Sequence, residues 1–252
     1  MIKELNLIDE KFNRAQQKEK FLYLKNTFLK NGYVVYENLL SEEEVSLLFE
    51  YTKLKRNASK WINKYCVGEY PNSFTKPIFS KLYFGLLGEV TFKKETFSLS
   101  GDAFTDTLLN KYKSIFEKIS GEELYNTTSF LRFYVEGDAL LNHIDRGELV
   151  VSGTIHIGGS QWELGIKDLS GNNKNINLRP GDCLIYQGHN CQHWRKPLEG
   201  KECLQLFLHY TPTKNEHFKY DRREGLGLPP VVPSEKDLEL KKEIGLGGYL
   251  EE

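Results

Sequence analysis

The spacing of apolar residues divides the chain into a helical N-terminal part and a β-rich part. Over residues 10–30, apolar side chains such as Phe21 and Phe28 recur at the i, i+3, i+7 spacing of one helical face. Residues 103–119 show the same period with a broader apolar face. Between residues 128 and 210 the period changes to two, which is typical of strands.

Two shorter signals lie between the predicted helices. Residues 33–36 are β-branched or aromatic and predict a strand. Ser41 with Glu44 three residues later forms a capping box, which predicts the start of another helix. Its buried stripe is expected near Val45, Leu48 and Leu54. Helices are the usual cover for the apolar face of a sheet, so we interpret residues 1–127 mainly as helical support.

Residues 57–100 contain many aromatic side chains without a clear period. Such an irregular aromatic stretch is typical of a substrate lid or a dimer surface. It is equally compatible with a long excursion that packs on the core. The aromatic residues are Trp61, Tyr65, Tyr70, Phe74, Phe79, Tyr83 and Phe84.

The β-rich part consists of short alternating runs that are separated by turn signals. The predicted strands lie at about 128–135, 139–143, 149–157, 162–167, 174–178, 182–187 and 203–210. Seven or eight short strands at this spacing indicate a sandwich or barrel, and a double-sheet jelly roll protects its edges well. The predicted fold class is therefore mainly β with flanking helices. Residues 1–252 are expected to form a single domain, with the jelly-roll core at 128–210 and a polar tail at 211–252.

Strand alternation also assigns side chains to faces. Arg132 and Tyr134 share one face of the first long strand, whose other face is apolar. On the last strand, Gln205 and His209 lie opposite an apolar row. Arg and Tyr directed inward suit a barrel that encloses a polar ligand, whereas an Arg132 directed to solvent is the commoner arrangement.

Composition and charge narrow the class of protein. The chain has 34 Lys and Arg residues against 35 Asp and Glu, a net charge of −1, which argues against a general nucleic-acid binder. No apolar run reaches the length of a membrane span, and the charged first residues do not resemble a signal peptide. None of the four cysteines forms a CxxC pair, and Cys183 and Cys203 are expected to be buried thiols. A cytoplasmic protein is the expectation.

The candidate chemistry lies in two histidines and one aspartate. His143 and Asp145 form an HxD triplet directly after a predicted strand, and His193 follows a tight turn and another strand. Two imidazoles and one carboxylate suit one face of an octahedral Fe(II), whose opposite face stays open for substrate and oxygen. An HxD triplet alone is weak evidence, and His189 is a rival for the distal position.

Residues 129–210 resemble the Fe(II)/2-oxoglutarate-dependent dioxygenase superfamily. The motifs that carry the resemblance are GDALLNHIDR, PGDCLIYQGHNCQHWRKP and LFLHY, and they are most similar to an uncharacterised bacterial group. The earlier segment GYVVYENLLSEEEV also resembles the opening of phytanoyl-type and prolyl-hydroxylase-type members. The likeness extends loosely over about residues 30–225.

The resemblance implies a double-stranded β-helix in which His143, Asp145 and His193 bind the iron. It implies 2-oxoglutarate and O2 as cosubstrates, with ascorbate as a candidate reductant. The expected reaction is oxidative decarboxylation of 2-oxoglutarate to succinate and CO2, coupled to hydroxylation of an unactivated C–H. Because halogenases of the superfamily carry Gly or Ala at the aspartate position, Asp145 favours hydroxylation. The expected substrate is a small molecule or a peptide side chain.

One departure concerns the residue that binds the far carboxylate of 2-oxoglutarate. Most members place Arg or Lys about ten to fourteen residues after the distal histidine, and this window contains no base here. Arg195 is the first candidate, since a guanidinium binds carboxylates in a bidentate manner, and Arg132 is the second. Tyr134 and Gln205 are expected to add hydrogen bonds. Arg146 is expected to pair with Asp145 or to contact the substrate.

Two alternatives from other classes remain open. One is a cupin-like binding protein or isomerase with a different metal, although cupins usually offer three histidines and an HxH motif that this chain lacks. The other is an interaction protein that works through residues 57–100 and keeps a vestigial metal site. The substrate, the position oxidised and the oligomeric state are not predicted by the sequence.

Overall fold

A computed structural model describes residues 2–65, 85–87, 92–223 and 225–228. The described helices are α1 (Ile2–Asn31), α2 (Glu42–Tyr65) and α3 (Ala103–Ser120), with a 3-10 segment at Thr213–Arg222. The described strands are β1 (Tyr33–Tyr36), β2 (Leu86–Leu87), β3 (Phe97–Ser100), β4 (Leu124–Val135), β5 (Leu140–His143), β6 (Val151–Gly159), β7 (Leu164–Lys167), β8 (Asn173–Ile176), β9 (Cys183–Tyr186), β10 (His193–Arg195) and β11 (Glu202–Pro212).

The strands form two antiparallel sheets. The larger sheet has the order β1-β9-β6-β11-β4-β3-β2, and the smaller one has the order β5-β10-β7-β8. Some neighbouring strands are distant in the chain: β11, for example, lies between β4 and β6. Such pairing requires connections that cross between strands, as in a jelly roll. The prediction of a mainly β jelly roll with flanking helices is thereby confirmed.

The helices cover one face of the larger sheet, and the main core lies between them. Leu109 and Phe116 of α3 are buried in the same cluster as Leu131 of β4 and Leu206 of β11. The Tyr210 hydroxyl donates a hydrogen bond of 2.7 Å to the Leu109 carbonyl, which joins β11 to α3. The other face of the sheet is thereby left for the interior of the barrel.

The capping box at the start of α2 is confirmed, but one predicted core position is wrong. The Ser41 N–H donates to the Glu44 carboxylate at 3.0 Å, and the Glu44 N–H donates to Ser41 Oγ at 3.2 Å. Leu48 is fully buried, whereas Leu54 is 69 % exposed. Six residues are not a whole number of helical turns, so Leu54 points away from Leu48. The buried position is Thr52, whose hydroxyl donates to the Leu48 carbonyl at 2.7 Å.

The described part of segment 57–100 belongs to the scaffold. Its beginning completes α2, and β2 and β3 extend the larger sheet, with Leu99 opposite Leu131. The other aromatic residues from 66–84, like the tail after residue 228, lie outside the described residues. Cys183 and Cys203 are buried thiols, as predicted. Among the described helices, none is long and apolar enough to cross a membrane.

Candidate metal centre

The jelly roll brings His143, Asp145 and His193 together at one end of the smaller sheet. β5 and β10 are hydrogen-bonded neighbours, and His143 lies opposite His193 in their register. Asp145 follows β5 by two residues, and its Oδ1 lies 3.8 Å from His143 Nε2 and 3.6 Å from His193 Nε2. The three candidate ligand atoms all lie within 4.8 Å of one another, so one metal ion can reach them all.

Both histidines are oriented by main-chain carbonyls. Nδ1 of His143 lies 2.8 Å from the Leu141 carbonyl, and Nδ1 of His193 lies 3.0 Å from the Cys191 carbonyl. A carbonyl only accepts hydrogen bonds, so Nδ1 donates in each ring and Nε2 is the nitrogen that is directed to the cluster. Such partners are the usual orienting contacts of metal-binding histidines. His189 lies outside the cluster, with its Nδ1 3.3 Å from the Val150 carbonyl.

The electrostatic state of the cluster suits a divalent cation. Burial lowers the pKa of His193, which keeps the ring neutral and able to ligate near pH 7. Burial opposes ionisation of Asp145, but the nearby His193 and His209 and the Ser152 hydroxyl outweigh it, and the pKa of the carboxyl is lowered. The cluster therefore offers one carboxylate and two imidazole nitrogens as ligand atoms.

Two residues that sequence reasoning overlooked hold Asp145 in place. The Ser152 hydroxyl donates to Asp145 Oδ2 at 2.9 Å, and the Asp145 N–H donates to the Gly188 carbonyl at 2.8 Å. A Cβ on Gly188 would collide with Asp145 Oδ2 and lie 2.5 Å from Ser152 Oγ. Gly188 is the last residue of the Tyr-x-Gly motif, but the sequence alone gave it no role at the site.

A cavity of about 130 Å³ extends from the metal cluster into the barrel. Arg195, Arg132, Tyr134 and His209 line it, as strand alternation indicated for Arg132, Tyr134 and His209. Arg132 is only partly exposed, so the alternative of a solvent-facing side chain is wrong. Tyr186 also lines the cavity, with its hydroxyl 3.5 Å from His193 Nε2. Alternation along β9 was the available signal for Tyr186.

Arg195 lies in the wall of this cavity and is 3 % exposed. Its guanidinium donates to the Trp162 carbonyl and, at 3.4 Å, to Oε1 of Gln205. Nε2 of Gln205 donates in turn to Nδ1 of His156 at 3.0 Å. Since Nδ1 of His156 accepts this bond, the ring is neutral, in agreement with a pKa that burial lowers to about 4. The Trp162 carbonyl and Gln205 therefore hold the guanidinium of Arg195 in place.

Arg132 occupies an aromatic part of the same cavity. Its Nε donates to Ser98 Oγ at 3.0 Å, and its guanidinium lies 4.2 Å from the ring centroid of Phe92 and 4.7 Å from that of Phe130. Tyr134 is fully buried beside it, and burial raises the pKa of its hydroxyl. The two arginines therefore give the cavity a positive character in two different surroundings.

Arg146 forms ion pairs with two carboxylates other than Asp145. Its Nη2 donates to Asp221 at 2.8 Å, and its Nη1 lies 3.4 Å from Glu148. It is not among the described residues that line the cavity. Asp221 adopts a left-handed backbone conformation with φ of 52°, which is uncommon for a residue other than glycine. These contacts fix Arg146 to the 3-10 segment beside the metal cluster.

Comparison with solved structures places this architecture among known proteins. Neither a protein-family model nor a curated protein matches the sequence. A Pseudomonas putida prolyl-4-hydroxylase has a TM-score of 0.56 and 14 % identity, over 76 % of this chain and 98 % of its own. The α-ketoglutarate-dependent non-haem epimerase SnoN from nogalamycin biosynthesis has a TM-score of 0.57 and 10 % identity, over 85 % of this chain and 96 % of its own.

A third neighbour is a prolyl hydroxylase in complex with a peptide fragment. A Trichoplax adhaerens prolyl hydroxylase, bound to a hypoxia-inducible-factor peptide, has a TM-score of 0.55 and 13 % identity, over 81 % of this chain and 94 % of its own. The chain has the fold of the 2-oxoglutarate-Fe(II) oxygenases. At these identities the likeness concerns the fold, and the chemistry is argued from the site itself.

Proposed function

We propose that the chain is an Fe(II)/2-oxoglutarate-dependent oxygenase with His143, Asp145 and His193 as its iron ligands. It couples oxidative decarboxylation of 2-oxoglutarate to succinate and CO2 with hydroxylation of an unactivated C–H. The observation that carries this proposal is the convergence of two oriented imidazoles and one carboxylate beside an internal cavity. The structure of SnoN with Fe3+ and α-ketoglutarate bound supports the same cofactors for this fold.

The two histidines and one aspartate suit a catalytic iron better than a structural zinc. A structural zinc site closes its coordination with four protein ligands, whereas three ligands on one side leave open positions. Bound iron supplies the redox chemistry, in which one oxygen atom of O2 enters succinate and the other enters the hydroxylated product. Ascorbate is a candidate reductant that returns the iron to Fe(II).

The cavity supplies the binding groups that 2-oxoglutarate requires. Arg195 is the proposed partner of its far carboxylate, because it lines the cavity and belongs to the same strand as His193. Two residues along a strand span roughly 6.6 Å, which suits a five-carbon diacid that is held at both ends. Tyr134 adds a hydrogen-bonding hydroxyl to the same cavity. Gln205 is not among the residues that line it, and we propose that it acts through its hydrogen bond with Arg195.

The remaining lining groups position and shield the reacting centre. Arg132 also lines the cavity and is the second candidate for the far carboxylate. Its guanidinium lies against the rings of Phe92 and Phe130. Phe130 and Phe207 supply aromatic surface to the cavity wall beside Arg132. A buried guanidinium that faces a carboxylate in such surroundings provides a strong, directional contact.

The proposed substrate is a small molecule or a peptide side chain. Structures of this fold hold substrates of both kinds, since SnoN has been solved with nogalamycin RO and the Trichoplax prolyl hydroxylase with a peptide fragment. Arg146 is proposed to contact an anionic group of the substrate. It is held next to Asp145 by Asp221 and Glu148, so the substrate would share the guanidinium with these carboxylates.

Succinate formation tests the proposal. Purified protein with Fe(II), ascorbate, 2-oxoglutarate and O2 is expected to form succinate slowly without a substrate and faster with one. His193→Ala should abolish this turnover, whereas His189→Ala should retain it because His189 lies outside the cluster. Metal binding without succinate formation from either protein would favour the cupin-like binding protein instead.

A further inference from the structure

We propose that Ser152 and His209 are positioning residues that leave a single oxygen of Asp145 for the metal. This inference rests on the proposed function, and it concerns how the carboxylate binds. Ser152 Oγ lies 2.9 Å from Asp145 Oδ2 and 2.9 Å from Nδ1 of His209. The three side chains therefore form one continuous chain of hydrogen bonds behind the metal cluster.

The direction of each hydrogen bond follows from the groups involved. An ionised carboxylate only accepts, so the single proton of the Ser152 hydroxyl points to Asp145 Oδ2. Nδ1 of His209 must then carry a proton and donate it to Ser152 Oγ. The competing contact from Ser152 Oγ to the Leu149 carbonyl is longer, at 3.4 Å. His209 thus fixes the hydroxyl in the orientation that serves Asp145.

The surroundings hold this arrangement rigidly. Ser152 is fully buried and His209 is 7 % exposed, so water does not compete for either hydrogen bond. Gly188 closes a third side, where any Cβ would displace both Asp145 Oδ2 and Ser152 Oγ. Oδ1 is the oxygen that faces Nε2 of His143 and of His193.

A single bound oxygen matters for the number of open coordination positions. Three protein donor atoms leave three of six octahedral positions, which is the number that a chelating 2-oxoglutarate and O2 require together. If both oxygens of Asp145 bound the metal, one of these positions would be lost. Ser152 and His209 therefore keep a position open for the cosubstrate or for oxygen.

The test separates this role from a purely structural one. In Ser152→Ala, Oδ2 becomes available, so the Fe(II) dissociation constant is expected to stay within about threefold or to fall. The 2-oxoglutarate dissociation constant should rise about tenfold or more, because the second carboxylate oxygen competes with the chelate. Both constants are read under anaerobic conditions, from Co(II) competition and from the absorbance of the Fe(II)–2-oxoglutarate complex.

Matched variants identify the hydrogen-bond chain as the cause. Ser129→Ala removes another buried hydroxyl that donates to a carboxylate, Asp106, at 2.6 Å, and it should change neither dissociation constant. His209→Asn keeps a hydrogen-bond donor in place of Nδ1–H, so its affinity for 2-oxoglutarate should stay close to that of the wild type. His209→Leu removes the donor and should reproduce the effect of Ser152→Ala.

Each result decides the inference. Unchanged 2-oxoglutarate affinity in Ser152→Ala and His209→Leu overturns it. Loss of Fe(II) affinity in parallel with a lower thermal midpoint also overturns it, since that is the pattern of a structural role. If the wild type itself binds no Fe(II) or forms no complex with 2-oxoglutarate, the proposed function fails as well. If the wild type binds Fe(II) and 2-oxoglutarate and the variants bind both equally well, only the role of Ser152 and His209 is excluded.

Discussion

The guanidinium of Arg195 donates a hydrogen bond of 3.4 Å to the side-chain oxygen of Gln205. Gln205 falls within the window where 2-oxoglutarate oxygenases most often carry a basic residue. In this chain the positive charge comes instead from β10, and the neutral amide of Gln205 orients it. Arg195, the proposed anchor, therefore brings a positive charge to the cavity wall from β10.

Replacement of Arg195 should weaken cosubstrate binding without loss of the metal. Arg195→Met removes a buried partner of the carboxylate and is expected to cost about 2 kcal/mol, or roughly 30-fold in the 2-oxoglutarate dissociation constant. Arg195→Lys keeps the charge but lacks the planar fork, so an intermediate loss is expected. Anaerobic titration of the Fe(II) protein with 2-oxoglutarate measures both. A larger loss in Arg132→Met than in Arg195→Met would assign the anchor to Arg132.

Gly188→Ala should disrupt the metal site more than its small size suggests. The added methyl group collides with Asp145 Oδ2 and crowds Ser152 Oγ, so the carboxylate must move away from the two imidazoles. We expect Fe(II) affinity to fall by about tenfold or more, as for other residues that orient metal ligands. Gly147→Ala is the matched control, because nothing lies within 4 Å of a Cβ at that position. Equal Fe(II) affinities for the two variants would contradict the account.

His156 should make the stability of the metal-free protein depend on pH. Burial and the nearby Arg195 lower its pKa to about 4, against an ordinary value of 6.5. Between these values the unfolded chain binds more protons, so stability is complete above pH 6.5 and is lost as the pH falls toward 4. The loss from this one group is about 3 kcal/mol.

Urea unfolding between pH 4 and pH 7 measures this effect. His156→Asn keeps an acceptor for Gln205 but does not titrate. As the pH falls, its free energy of unfolding should therefore decrease less steeply than that of the wild type, and the two slopes should differ by about 1.4 kcal/mol per pH unit. Burial also lowers the pKa of His209 to about 4, so the stability of the variant should still decrease with falling pH because of this second histidine. Identical slopes for wild type and variant would show that His156 is not held neutral in the fold.

Most strands and the metal cluster were predictable because their signals are local or periodic, whereas β2, β3 and β10 were not predicted. Alternation along the first long strand placed Arg132 and Tyr134 on one face, and both line the cavity. The HxD triplet and His193 each follow a strand and a turn, so their approach depends only on the pairing of β5 with β10. Periodicity carries such information because it reports which side chains share a face.

Contacts between distant segments of the chain could not be read in this way. The error at Leu54 is of another kind, because it is local. The core takes Thr52, whose hydroxyl donates to the Leu48 carbonyl one helical turn earlier. Ser152 and Gly188 act on Asp145 only because β6 and the turn after β9 lie against it in space.

Anaerobic titration with Fe(II) and 2-oxoglutarate tests the central claim most directly. A bidentate 2-oxoglutarate on Fe(II) gives a weak visible charge-transfer band, and the account predicts this band in the wild type and in His189→Ala. The band should be absent in His193→Ala, while circular dichroism shows that the fold is kept. A band that persists in His193→Ala, or that disappears in His189→Ala, would contradict the assignment of His143, Asp145 and His193 as the iron ligands.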